Sequence, residues 1–246
     1  MTTTATPVGR AMILAAGLGT RFKPWTDNHP KALAPVNGKT LLQRNIEYLQ
    51  QYGISDVIVN VHHFAGQIVT ALQTNRGWGS RITISDESSE VLETGGGLKK
   101  ARAWLLDGPF VLMNVDILTD MDLGVMITDH LAHRPIATLA VTGRSTSRYF
   151  LFDNDDELCG WKNVQTGQQR MARSVGGEPV PKAFSGIHVI DPSIFDFITR
   201  EGKFSMVDVY LDLAADHSIR GFDHSRSLFI DVGRPSSAEE AARLFP

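Results

Sequence analysis

An α/β fold with a mixed, mostly parallel central sheet is what the 246-residue sequence predicts, and three observations predict it. Short β-branched runs alternate with amphipathic stretches along the first half, and a glycine-rich turn follows the first apolar run at once. Past about residue 135 this alternation gives way to hairpin-like segments. Strands and helices alternating at these lengths form right-handed βαβ units, whose sheet needs cover on both faces.

The run 11–16 is short and apolar and ends in Gly17-Leu18-Gly19-Thr20-Arg21, the pattern of a buried strand entering a loop. Leu42, Ile46 and Leu49 recur at helical spacing within 41–52, and Gly53 follows as a C-terminal cap. A β-branched strand is predicted over 56–61, a helix over 65–73, a strand over 81–85, a helix over 97–106 and a strand over 110–113. Beyond these come a strand at 136–142 and a hairpin in which 149–153 and 157–163 flank the turn Asn154-Asp155-Asp156. A strand at 183–190, helices at 192–199 and 206–216, a late strand at 228–232 and a helix at 236–244 complete the order. Segment 163–181 is polar and glycine-containing and reads as a long loop, a class often used for function.

Composition limits the partners. With 24 basic and 27 acidic residues the formal charge is −3, so there is no basic excess of the kind a nucleic acid or an anionic membrane requires. Cys159 is the single cysteine, which excludes an internal disulfide and implies a reducing, cytoplasmic setting. No apolar run reaches the roughly 18 residues of a membrane span. The first seven residues lack the charged and apolar regions of a signal peptide, and residues 1–9 read as a disordered leader.

The chemistry concentrates near the amino terminus. Backbone amides of Ala15, Ala16, Gly17, Gly19 and Thr20 after a strand suit an anion. The loop is neither the dinucleotide fingerprint, since Phe22 stands where a third glycine is needed, nor a Walker loop, which ends in Gly-Lys-Ser/Thr. Arg21 and Lys31 follow in a stretch ordered by Pro24, Pro30 and Pro35. Two cations beside a phosphate cradle would offset charge developing on a triphosphate. Downstream stand Leu92-Glu93-Thr94-Gly95-Gly96-Gly97, then Asn114-Val115-Asp116 after a strand, Phe184-Ser185-Gly186-Ile187, and Phe229-Ile230-Asp231-Val232-Gly233. His62 and His63 end a strand near the same edge without a third ligand at metal spacing. Cys159 has no partner for nucleophilic chemistry and reads as packing.

Taken together, Ala-Gly-Leu-Gly-Thr-Arg-Phe, Pro-Trp-Thr, Pro-Lys-Ala-Leu and the later motifs resemble the sugar-1-phosphate nucleotidyltransferases, from residue 11 to about 244. The look is nearest to the compact N-acetylmuramate-1-phosphate uridylyltransferases. Val115 replaces a usual glycine, and Phe22 and Trp25 are bulkier than the family's residues. The resemblance implies a Rossmann-like, glycosyltransferase-A-like domain over 10–246, with a nucleotide-binding part at about 10–135 and a less regular sugar-binding part at about 136–246. It implies Arg21 and Lys31 as catalytic cations, and Ala15, Ala16, Gly17, Gly19, Thr20, Glu93, Thr94, Gly95 and Gly96 as nucleotide contacts. Asn114, Ser185 and Gly186 are expected on the sugar side, with Lys162 and Lys182 as candidates for the sugar phosphate. Asp116 and Asp231 are the implied ligands of Mg²⁺.

The implied substrates are a nucleoside triphosphate and a sugar 1-phosphate, with UTP and N-acetylmuramate 1-phosphate or a related hexose 1-phosphate first. Alternatives are a mannose- or heptose-1-phosphate guanylyltransferase, a cytidylyltransferase for an amino-alcohol phosphate, and a silent nucleotide-sugar-binding regulatory subunit. A monomer or small homo-oligomer is expected, without the repeat-built acyltransferase domain of bifunctional relatives.

Overall fold

Alternation along the first strand decides how the sheet is covered. In β1 (Arg10–Leu14), Ala11 and Ile13 enter one apolar cluster while Met12 and Leu14 enter another, and all four are buried. Apolar residues on both sides of a period-two strand are what a central position demands. The computed structural model describes residues 8–246; residues 1–7, which carry most of the predicted leader, lie outside the described residues, and Val8 is buried in the core.

A small ribbon of β2 (Pro35–Val36) and β3 (Lys39–Thr40) precedes α1 (Leu41–Gln51). The Thr40 hydroxyl accepts the Gln43 amide at 3.1 Å and caps that helix. Then come β4 (Asp56–Val61), α2 (Ala65–Thr74), β5 (Arg81–Asp86), α3 (Glu93–Lys100), β6 (Phe110–Asn114), β7 (Ile117–Thr119) and α4 (Leu123–His133). The second half holds β8 (Ala137–Thr142), β9 (Arg148–Phe152), β10 (Leu158–Asn163), β11 (Gln169–Met171) and β12 (Val180–Ile190). It closes with α5 (Ile194–Phe197), α6 (Met206–Leu213), β13 (Ile219–Asp223), β14 (Phe229–Asp231) and α7 (Pro235–Leu244).

Ten strands form one mixed sheet in the order β11-β10-β9-β12-β6-β1-β4-β5, with β8 pairing both β12 and β13. The sheet is parallel through β6, β1, β4 and β5, and β12 then pairs antiparallel with β6, β8 and β9. Helices α1, α2 and α4 cover one face through Leu42, Ile46, Ile68 and Met126, and α3, α5 and α6 cover the other through Leu98, Ile194 and Tyr210. A third cluster joins Phe22 to Leu118, Ile230, Val232 and Ala241 beneath the loop.

Several elements depart from expectation. The helix predicted over 97–106 begins at Glu93 and holds Gly95, Gly96 and Gly97 inside it, with a separate 3₁₀ turn at Arg102–Trp104. Glycine lowers helix propensity, but here close packing overrides it: a Cβ on Gly97 would stand 2.7 Å from Glu87 Oε1. Helix α4 went unpredicted, although Leu123, Met126, Ile127 and His130 are buried at helical spacing and Asp122 caps it by accepting the Val125 amide. Gly124 and the β-branched Val125, Ile127 and Thr128 mask that pattern locally. Segment 163–181 is not wholly loop, because β11 extends the sheet edge against β10.

Candidate active site

Register places the site. Leu14 at the end of β1 pairs with Asn60 on β4 and with Asn114 on β6, so three strands finish on one line. The carboxyl ends of parallel strands are where open α/β sheets bind ligands. Above them opens a cleft of about 570 Å³ lined by Ala15, Ala16, Gly17, Gly19, Thr20 and Arg21. Lys31, Glu93, Thr94, Asn114 and Asp116 also line it, as do Asn60, Lys203 and Ser205, which were not anticipated.

The loop is held from below. Asn60, 2% exposed, accepts the amides of Ala15 at 2.6 Å and Ala16 at 3.3 Å, and its own amide donates to Glu87 Oε1 at 2.8 Å. Burial pushes the Glu87 carboxyl above its ordinary range. Gly19 takes φ 61°, and a Cβ there would come 2.9 Å from Thr26 Cγ2. Thr26 Oγ1 donates to the Gly19 carbonyl at 2.9 Å, which locks the turn.

Two 3₁₀ turns present the cations. Arg21 lies in Thr20–Phe22, and Lys31 opens Lys31–Leu33 after an extended Pro30. Phe22 is buried, and Lys31 Nζ lies 5.9 Å from its ring, so the bulky side chain repacks the floor and does not enter the cleft. Lys31 Nζ is 2.6 Å from Asp116 Oδ2.

Asp116 and Asp231 meet because β14 pairs with β7. Asp231 stands opposite Ile117, and the Val232 amide donates to the Asp116 carbonyl at 2.8 Å. Asp231 stands beside the cleft without lining it; desolvation, then the Asp116 charge, holds its carboxyl above the ordinary range against Lys31, Arg21 and Arg144. Among the described residues no three His, Cys, Asp or Glu side chains gather to hold a metal. Two carboxylates that repel each other beside the cleft nonetheless suit Mg²⁺, which retains waters and takes substrate oxygens.

Other expected residues lie elsewhere. Gly95 and Gly96 are buried behind the cleft wall, where both amides donate to the Phe204 carbonyl and so are not offered to a nucleotide. Thr94 lines the cleft but its hydroxyl accepts the Met206 amide at 2.9 Å. Lys182 pairs with Asp156 at 2.7 Å in the hairpin turn, and Lys162 lies 6.0 Å from the Tyr149 ring. Neither lysine lines the cleft. Ser185 is buried with its Oγ 2.7 Å from His224 Nε2. Gly186, at φ 74°, lets Asn114 approach: a Cβ would stand 2.7 Å from Asn114 Nδ2. No residue of 163–181 lines the cleft.

His62 Nδ1 contacts the Glu87 carbonyl at 2.6 Å. The Cys159 thiol donates to the Leu151 carbonyl at 3.2 Å and is pushed up by burial, as packing predicts. Sequence reasoning missed Asn60, which lines the cleft, and Glu87, which holds the Asn60 amide. Asn60 ends a β-branched strand at the expected edge, and that position was its only signal.

Residues 10–158 match the sequence model of the family described as nucleotidyl transferase. An N-acetylmuramate alpha-1-phosphate uridylyltransferase of Caulobacter vibrioides is 33% identical, covering 95% of this chain and 96% of the relative. One from Neisseria meningitidis serogroup B is 30% identical, over 96% and 97%. The crystal structure of HddC from Yersinia pseudotuberculosis superposes with a TM-score of 0.77 at 24% identity, covering 97% of this chain and 100% of that one. No described helix is long and apolar enough to cross a membrane.

Proposed function

The chain belongs to the nucleotidyl transferase family, and on that premise we propose that it joins UTP to N-acetylmuramate 1-phosphate or a related hexose 1-phosphate, releasing pyrophosphate. The observation that carries this reading is the convergence of Arg21, Lys31, Asp116 and Asp231 beside one glycine-lined cleft.

A phosphate oxygen of the sugar 1-phosphate attacks the α-phosphorus in line, and the bond from that phosphorus to the pyrophosphate oxygen breaks. The nucleophile is an anion at neutral pH, so no side chain need remove a proton. What remains for the protein is alignment and charge stabilisation. Gly17 and Gly19 bring backbone close to the nucleotide, with Asn60 fixing the two preceding amides. Arg21 and Lys31 face the triphosphate and offset charge on the departing pyrophosphate. Asp116 and Asp231 would hold Mg²⁺, which supplies Lewis-acid neutralisation of phosphate charge when bound.

Pyrophosphate release measured across UTP, GTP, CTP and dTTP with a panel of sugar 1-phosphates tests the reading. UTP with N-acetylmuramate 1-phosphate is expected to give the highest kcat/KM. A preference for GTP with mannose or heptose 1-phosphate would replace the substrate assignment. Failure with every pair, alongside measurable nucleotide-sugar binding, would make the chain a binding module.

A further inference from the structure

Lys182 is already held by Asp156, and Lys162 lies against Tyr149; a third cation, Arg144, lies outside the cleft lining as they do but stands over Phe229, on the strand that carries Asp231. Arg144 follows β8 and is half-buried, yet it makes no ion pair within 4.0 Å among the described residues. Its Nη2 donates to the Phe184 carbonyl at 2.8 Å, and its guanidinium carbon lies 4.9 Å from the centre of the Phe229 ring. Its Nε is buried with no partner, as are His224 Nδ1 and Thr142 Oγ1. These groups share one corner, because β8 and β13 run parallel with Val141 opposite Asp223. A half-buried cation and orphaned polar atoms are costly unless something polar completes them.

Position narrows what that something is. Phe229 and Asp231 are two residues apart on β14 and share a face, so a guanidinium over the Phe229 ring stands on the side of the sheet that carries Asp231. Arg21 reaches the same carboxylate from the loop, where it borders Gly233. Cations thus approach Asp231 from two elements, the nucleotide loop and the C-terminal lobe. In-line displacement puts the entering and departing groups on opposite sides of phosphorus. With Arg21 and Lys31 assigned to the departing side, the entering anion needs its own.

We propose that Arg144 binds the 1-phosphate of the acceptor sugar, a role that rests on the reaction proposed above. Its planar fork matches a phosphate edge, and the Phe184 carbonyl and Phe229 ring hold the fork in place.

Arg144→Ala and Arg144→Lys, assayed by initial-rate pyrophosphate release with the pair that the unaltered enzyme uses best, test this. The KM for the sugar 1-phosphate should rise about 100-fold in the alanine variant, the loss of a charged hydrogen-bond pair, and about 10-fold in the lysine variant, which keeps charge without the fork. The KM for the nucleoside triphosphate and the thermal midpoint of Arg144→Lys should stay put. An unchanged acceptor KM in Arg144→Lys and Arg144→Ala, or equal rises in both substrates' KM values, overturns the assignment. So does loss of folding in both variants, which would make the residue structural. If the unaltered enzyme turns over no pair at all, the reaction itself has failed, and that result is read before any variant is made.

Discussion

Lys31 Nζ lies 2.6 Å from Asp116 Oδ2, an ion pair between residues 85 positions apart whose side chains are only 10% and 21% exposed. It ties the cation of the proline-ordered segment to the carboxylate after β6, so cleft residues of two distant motifs form one unit. Screening by solvent is weak at that depth, and removing one partner leaves the other charged and poorly solvated.

Lys31→Met should therefore lower kcat for pyrophosphate release by about 10²–10³-fold, the scale of losing one preorganised charge stabiliser. The measurement is steady-state turnover at saturating substrates. A kcat within threefold of the unaltered enzyme would remove Lys31 from the chemistry.

Asp116→Ala and Asp231→Ala should each abolish Mg²⁺-dependent pyrophosphate release. Isothermal titration with Mg²⁺ in the presence of nucleotide should show the metal response lost in both. Near-normal turnover in the two variants would sink the metal assignment. Since burial and the Asp116 charge hold Asp231 above its ordinary range, Asp116→Asn should bring the Asp231 carboxyl down, which an NMR titration of that carboxyl reads directly.

Asn60→Ala strands the amides of Ala15 and Ala16 and the Oε1 of Glu87. Each buried group left without a partner costs about 1–3 kcal/mol. A thermal midpoint several degrees lower and a raised KM for the nucleoside triphosphate are expected together, because the stranded amides belong to the nucleotide loop. An unchanged melting curve would mean that the loop stands without Asn60.

Gly186→Ala forces a Cβ against Asn114 Nδ2 and Ile117 Cγ1 at a φ of 74°. Both effects oppose the native backbone, and a loss of about 1–2 kcal/mol follows. Differential scanning calorimetry should show a midpoint lower by roughly 2–8 °C for a chain of this size. A midpoint unchanged within a degree would contradict that packing.

Acid should destabilise the fold through three buried histidines, His130, His188 and His224, the last also pulled down to about 4 by burial. Burial pulls His130 down to about 4, against the opposing charges of Asp191 and Asp129, and pulls His188 down to about 3. Their Nδ1 atoms lie 2.9 Å from Thr138 Oγ1 and 2.6 Å from Tyr210 Oη. All three folded values are depressed, so the unfolded chain binds protons first as pH falls below about 6.5. Stability is thus fully present above pH 6.5 and drains toward pH 4, by about 1.4 kcal/mol per pH unit for each ring. Thermal midpoints across pH 7.5 to 4.5 should fall with that slope, and His188→Gln should flatten it. A slope unchanged by that substitution would exclude His188 as a source.

The amino-terminal half was legible because its signals are local. The apolar run before Gly17, the helical spacing of Leu42, Ile46 and Leu49, and the β-branched 56–61 each specify an element within one window of sequence. The interval from Gly17 to Lys31 likewise marked the residues that now line the cleft. The second half was harder: β13 and β7 are short strands whose partners, β8 and β14, lie far along the chain. Their pairing is decided by tertiary neighbours and not by their own few residues.

By itself, then, the sequence determined the α/β class and marked the glycine loop, Arg21, Lys31 and Asp116, which line one cleft, and Asp231, which stands beside it. Tertiary structure alone decided which residues face the cleft. Gly95 and Gly96 read as nucleotide contacts until Phe204 was seen to take their amides, and Lys182 read as a phosphate ligand until Asp156 was seen to hold it. Arg144 carried no motif, and only the approach of β14 to the end of β8 sets its guanidinium above Phe229. The reason is physical: a motif records residue type and spacing, whereas a polar group's role depends on whether another part of the chain has already satisfied it.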